Sequence, residues 1–519
     1  MGYSLTSVRI DGNSLTIEEF VAVARYDATV NLADSARQAM EQSFALGEKI
    51  VSENRVAYGI TTGFGDFANV AVPEEMSSQL STNLLLSHCV ATGDPYTREQ
   101  VRGMMLLRAN ALCVGLSGVR PLLVETLIEM LNRGVTPVVP QKGSLGASGD
   151  LAPLSHMGLV LLGRGEAEYQ GEVLSGAEAM SRAGIPVLDT LVRKEGLGIT
   201  NGTCAMTSVG TLHLYDTLRA AKLADLIGSL SFTALGGQTD AFQDRLHQAR
   251  GQKGQIQVAA NLRALTEGAD MLERSRGLRV QDAYALRCMP QVHGAVRDAL
   301  TFVREKVEIE LNAVTDNPLL FPEDEAVISC GNFHGEPMAL PFDFLGIACA
   351  ELASISERRI ERMVNHTLSN GLTPFLTTHS GLNSGYMIVQ YSAASMVSEN
   401  KVLTHPASVD SIPSSANQED FVSMGTTAAR KAGDILQNTL SVLAYELLTA
   451  CQAVDIRRRK GDLGTGLSPV HEALYRHVRE QVDFLEEDRE LWPDIRAVER
   501  MVRTEELTDL AGQFVPDFT

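Results

Sequence analysis

Apolar residues recur at three- and four-residue spacing along most of the chain beyond residue 30, so helices are predicted to dominate. Two amphipathic helices are predicted over 97–112 and 122–131, running out near Gly115 and Gly134. After Thr203 the periodic stretches lengthen, to roughly 203–235, 286–314, 341–368 and 424–455. Helices of about 25–30 residues span roughly 40 Å at about 1.5 Å per residue, and pack most readily as a long antiparallel bundle. Periodic leucines such as Leu440, Leu443, Leu447 and Leu448 are then core residues.

The first 30 or so residues read differently. Val8-Arg9-Ile10 before Asp11-Gly12, followed by Leu15-Thr16-Ile17, predict two short strands around a tight turn that leads into a helix. The fold class expected is mainly α: a long-helix bundle and C-terminal helical region over 203–519, preceded by a smaller mixed domain over 1–202. Glycines cluster at 58–65, 143–149, 196–202 and 331–335, which read as loops, where catalytic groups collect. The run Arg457-Arg458-Arg459-Lys460 reads as a solvated helix end.

Length and charge narrow the function. A chain of 519 residues with 44% hydrophobic content can bury a large core. Its net charge of −20 and pI near 5.0 argue against nucleic acid or an anionic membrane as partner, and favour small-molecule chemistry. Seven scattered cysteines, an odd number with no Cys-x-x-Cys pair, fit a reducing compartment, with the cytoplasm as the default. The N-terminus lacks the basic region and apolar stretch of a signal peptide, and the loose myristoylation pattern at Gly2 and Thr6 has no polybasic support.

The candidate chemistry lies in residues 143–156, Gly-Ser-Leu-Gly-Ala-Ser-Gly-Asp-Leu-Ala-Pro-Leu-Ser-His. Ala147-Ser148-Gly149 sets a serine between the two smallest residues, so the backbone can bend back on itself. Attack of the Gly149 nitrogen on the Ala147 carbonyl carbon, with loss of two waters, would give a methylidene-imidazolone (MIO) ring whose methylidene carbon is a strong electrophile. The spacing of Gly143, Gly146 and Gly149 is not a P-loop, because the Gly-Lys-Ser/Thr ending is missing. His334-Gly-Glu336 lacks the Pro-Cys-x-x-Cys partner of a zinc deaminase, and no metal site is expected.

With its flanks, this segment resembles the signature of the aromatic amino-acid ammonia-lyase and aminomutase family. The resemblance extends over about 55–455 and implies a fumarase/aspartase-like helical fold, a homotetramer with shared active sites, and an MIO made from Ala147, Ser148 and Gly149 with no external cofactor. Tyr58, in Tyr-Gly-Ile-Thr-Thr-Gly-Phe-Gly, matches the family's catalytic tyrosine, a base for the substrate's β proton. A tyrosine of pKa about 10 would need about 4 kcal/mol of phenolate stabilisation to act near pH 7; otherwise the optimum is alkaline. In Gln281-Asp-Ala-Tyr284-Ala-Leu-Arg287, the resemblance gives Arg287 the substrate carboxylate, which its planar fork suits, with Tyr284 and Gln281 lining the site. Asn201 matches an asparagine that hydrogen-bonds near the MIO carbonyl, with an N-cap role as its plain structural alternative. Phe333 matches an aromatic beside the ring.

Two residues bear on the substrate. His88, in Leu-Ser-His, matches the position that meets the substrate ring and can hydrogen-bond an imidazole or a phenol. Glu419, in Asn-Gln-Glu-Asp, can accept an imidazole N–H, and this form resembles the histidine-specific branch of the family, whereas many tyrosine enzymes lack the glutamate. The expected reaction is therefore elimination of ammonia from L-histidine to give trans-urocanate. A tyrosine lyase or a 2,3-aminomutase with the same electrophile is the alternative, and a non-catalytic helical scaffold is the reading from another class.

Overall fold

The computed structural model describes residues 5–53, 55–63, 65 and 69–518. Helices account for most of the chain, joined by small sheets of two or three strands. The chain groups into two compact units. One comprises Met1–His213, Arg304–Asp343 and Pro406–Arg430; the other comprises Leu214–Val303, Phe344–His405 and Lys431–Thr519. The four long helices are observed at Cys204–Ala234, Met289–Glu310, Glu336–Val364 and Gly425–Lys460, and each has residues in both units.

At the start of the first unit only one of the two expected strands forms. Ser7–Ile10 is a strand, but Leu15-Thr16-Ile17 is a helix entrance. The Thr16 hydroxyl accepts from the Glu19 N–H at 3.1 Å and the Glu19 carboxylate accepts from the Thr16 N–H at 2.9 Å, a reciprocal capping box. Helix Ile17–Tyr26 follows, and Ser7–Ile10 pairs in parallel with Thr29–Leu32 on its far side. A local side-chain interaction has thus overridden an alternating apolar pattern.

Helix Arg98–Cys113, expected to be amphipathic, is buried continuously from Val101 to Cys113. Burial on all faces is possible because its polar residues reach main-chain acceptors. Arg102 donates to Val23 O at 2.8 Å and to Leu131 O at 2.9 Å, which serves the carbonyl ends of helices Ile17–Tyr26 and Pro121–Arg133. Burial lowers its pKa to about 10. Of the glycines at 196–202, expected in a loop, Gly196 and Gly198 lie instead in a buried helix, Glu195–Thr200, and Gly202 lies between that helix and the next. A Cβ on Gly196 would stand 2.4 Å from Ser81 O, so close backbone approach explains the glycine.

The second unit is built on helical segments whose inward leucines, among them Leu440, Leu443, Leu447 and Leu448, are buried. A polar network runs through it. Glu446 accepts from Arg359 at 2.5 and 2.8 Å, from Ser356 at 2.5 Å and from Ser231 at 2.7 Å. Asp225 accepts from Arg297 at 2.7 Å and Asn261 at 2.9 Å and pairs with His293 at 2.7 Å. The basic run at 457–460 does end a helix, but its first member is buried: Arg457 donates to the carbonyls of Ala234, Ser369 and Asn370. Helices Glu336–Val364 and Gly425–Lys460 are long and apolar enough to cross a bilayer, yet their most apolar stretches are 67% and 83% buried inside the protein.

Candidate active site

The tripeptide Ala147-Ser148-Gly149 is held in a bend by backbone contacts on both sides. Gly202 donates to Ser148 O at 3.3 Å, and Asp150 donates to Gly202 O at 2.7 Å. Gly149 has φ +72°, and a Cβ there would lie 2.1 Å from Gly202 O, so no other residue fits. On the other side, Gly146 O accepts from Ser423 Oγ at 3.1 Å and from Gly335 N at 3.3 Å, while Leu145 O accepts from Met424 N at 2.9 Å.

Asp150 ties these strands of chain together. Its fully buried carboxylate accepts from Ser144 Oγ at 2.8 Å, from Met206 N at 2.8 Å and from Thr426 Oγ1. Burial pushes its pKa up against the pull of those donors. Sequence reasoning gave Asp150, Ser423 and Thr426 no role. Asp150 stood inside the motif, but the two hydroxyls carried no signal, since each meets its partner across more than 270 residues.

Ala147 and Gly149 are buried whereas Ser148 is partly exposed, and its hydroxyl donates to Glu419 Oε1 at 3.2 Å. Glu419 Oε2 accepts from Ser414 Oγ at 3.1 Å, and the backbones of Ser414 and Glu419 are paired in both directions. The turn between them places Ser415, Ala416 and Asn417 at φ of 50°, 53° and 68°. Three consecutive left-handed residues without glycine cost about 1–2 kcal/mol each, strain of the kind that collects at functional sites.

Tyr58 is half-buried, and its hydroxyl accepts from Gly65 N at 3.1 Å. Gly65 abuts the strained turn: a Cβ on it would lie 2.7 Å from Ser415 Oγ. Phe64 of the same motif is outside the described residues. Burial raises the Tyr58 pKa, the Gly65 N–H opposes that, and the Glu419 carboxylate adds to it. A phenol whose pKa is raised acts as a base most readily at alkaline pH.

His88 ends helix Ser77–His88, half-buried, with Nδ1 at 2.9 Å from Ser87 Oγ. Burial lowers its pKa while Leu84 O and the Glu419 charge pull it up, which leaves a neutral imidazole at pH 7. Asn201 is buried; its Nδ2 donates to Asn317 O at 3.2 Å, and its Oδ1 has no hydrogen-bond partner among the described residues. It closes helix Glu195–Thr200 and does not N-cap the helix that begins at Cys204. Phe333 is half-buried two residues before Gly335, whose N–H is bonded to the tripeptide loop.

Gln281, Tyr284 and Arg287 belong to the second unit. Tyr284 is 71% exposed and Gln281 is exposed; the Arg287 guanidinium sits 4.7 Å above the Tyr284 ring, and its buried Nε has no partner among the described residues.

The helical fold thus holds a glycine-packed Ala-Ser-Gly bend whose serine meets Glu419, the carboxylate that also acts on Tyr58 and His88. The family model "aromatic amino acid lyase" matches residues 15–480, and the chain belongs to that family. Histidine ammonia-lyase of Caldanaerobacter subterraneus subsp. tengcongensis is 56% identical over 501 residues, 96% of this chain and 97% of the relative. Among solved structures, histidine ammonia-lyase from Trypanosoma cruzi superposes with a TM-score of 0.91 at 38% identity, covering 98% and 96% of the two chains. Tyrosine aminomutase from Streptomyces globisporus does so with a TM-score of 0.93 at 38% identity, covering 98% of each.

Proposed function

We propose that this carbon–nitrogen lyase eliminates ammonia from L-histidine to give trans-urocanate. The observation that carries the reading is Glu419: its carboxylate stands at the hydroxyl of Ser148, and its charge is felt by both His88 and Tyr58. A carboxylate at that place accepts an imidazole N–H and stabilises the cationic form of the ring, which a phenol does not have. The name shared by relatives more than 50% identical over nearly the whole chain supports it.

Ala147, Ser148 and Gly149 fit an MIO precursor. Gly149 and Gly202 leave no room for a side chain on the folded-back face, while Ser148 is the member of the three that is open to the site. Once formed, that ring supplies an electrophilic carbon that makes the substrate amine a better leaving group. Tyr58 removes the β proton and, with its pKa raised, does so best above neutral pH. His88 and Glu419 hold the imidazole, Arg287 takes the carboxylate, and Asn201, Gln281, Tyr284 and Phe333 line the site. The working form is a homotetramer with shared sites, and the exposure of Leu278 (62%), Val280 (103%) and Tyr284 (71%) in one chain supports burial on association.

An ultraviolet assay with L-histidine, L-tyrosine and L-phenylalanine tests this. Urocanate is expected; its absence from protein whose intact mass shows the loss of two waters overturns the histidine reading. The similarity to tyrosine aminomutase keeps a second reading in view. Coumarate would indicate a tyrosine lyase, and a β-amino acid would indicate a mutase.

A further inference from the structure

Behind the tripeptide lies a charge that no motif brought forward. Arg108, on the all-buried helix Arg98–Cys113, is itself fully buried. Its Nη1 donates to the carbonyl oxygen of Asn201, while Nε and Nη2 have no hydrogen-bond partner and the guanidinium forms no ion pair with a carboxylate, among the described residues. A cation kept dry with so few partners is costly, and its field is screened less than at a surface.

The carbonyl that Arg108 grips and the N–H of Gly202 belong to one peptide unit, and that N–H donates to Ser148 O at 3.3 Å. The contacts form a relay: guanidinium to Asn201 carbonyl, across the amide, from the Gly202 N–H to the Ser148 carbonyl. Hydrogen bonds in such a chain polarise one another. Gly202 is required for the arrangement, since a Cβ there would lie 2.7 Å from Arg108 Nη1 and 2.6 Å from Thr315 O.

We propose that Arg108 is a positioning residue that polarises the Ser148 carbonyl through the Asn201–Gly202 peptide and holds that peptide against the tripeptide. The inference rests on the MIO reading above. Cyclisation leaves the Ser148 carbonyl in place, conjugated with the new methylidene carbon. Drawing electron density toward that oxygen makes the carbon more electron-poor, so Arg108 sets the strength of the electrophile without touching substrate.

The test uses the full-length protein without amino-acid substrate, with cyanide as the nucleophile. Wild type, Arg108→Met, Arg108→Gln and Arg108→Lys are compared by intact mass, near-ultraviolet absorbance and the rate of cyanide addition, with far-ultraviolet circular dichroism to report the fold. Arg108→Met and Arg108→Gln are expected to add cyanide at least about tenfold more slowly per cyclised chain, a modest loss beside that of removing a direct oxyanion donor. Arg108→Lys, which keeps the charge, should recover part of the rate. Arg108→Gln removes the charge but keeps a polar side chain, so the test does not depend on Arg108→Met folding. A folded, cyclised Arg108→Gln or Arg108→Met that reacts at the wild-type rate overturns the proposal. Wild type without the loss of two waters would instead overturn the MIO reading.

Discussion

At the scale of single residues the site depends on few atoms. Ser148→Ala should keep the fold and abolish turnover, because no hydroxyl remains to be lost in forming the electrophile. Intact mass without the loss of two waters, beside unchanged circular dichroism, is the expected pair; near-normal turnover would refute the argument. Glu419→Gln tests two effects together. It removes the negative charge and turns one of the two acceptor oxygens into a donor, so the charge-assisted hold on the imidazole is lost and histidine turnover should fall about a hundredfold. It also removes a negative neighbour that raises the Tyr58 pKa, so the rising limb of the kcat/KM profile should move to lower pH. The sign follows from burial and Glu419 both favouring the neutral phenol: wild-type activity climbs with pH as the phenolate appears. A limb that stays in place in the variant would remove Glu419 from the titration of the base. Tyr58, His88, Glu419 and the tripeptide were legible because each sits in a motif of several mixed residues. Asp150, Thr426 and Arg108 were not, because a single buried polar residue looks the same in sequence whether or not its partners converge on a site.

At the scale of elements, periodicity located the long helices to within a few residues. It failed where side chains settled the backbone locally. Leu15-Thr16-Ile17 alternates like a strand, yet the Thr16–Glu19 capping box starts a helix there. Thr16→Ala should therefore lower stability by about 1 kcal/mol, read from the denaturant midpoint. An unchanged midpoint would show that the helix start is set by packing of Phe20 and its neighbours instead. Within the second unit, Arg359→Met would leave the Glu446 carboxylate buried without its cation, at a cost of about 3–5 kcal/mol. Full retention of the melting temperature would mean that the carboxylate is already held well enough by Ser231 and Ser356.

At the scale of the molecule, buried neutral histidines make stability depend on pH. His471 is fully buried beside Ser229, at 2.8 Å, and its pKa is pushed down to about 3. The unfolded chain binds this proton near pH 6.5 and the folded chain only near pH 3, so stability is complete above about 6.5 and falls as pH drops below it. Burial lowers the His293 pKa in the same direction. Thermal melts from pH 8 to pH 5 should show the decline, and His471→Gln should flatten it; an equal decline in that variant would assign the acid sensitivity elsewhere. The sequence by itself determined the helical class, the long helices, the glycine-flanked serine and its family, because these are written in local periodicity and contiguous motifs. The tertiary structure alone decided that segments 304–343 and 406–430 join the first 213 residues in one unit. It also decided that Glu419 meets Ser148 and that a buried arginine stands one peptide away from it. Those contacts join residues about 90 to 280 positions apart. Close packing and the need to satisfy buried polar groups act only after the chain has folded back on itself, and no local pattern encodes them.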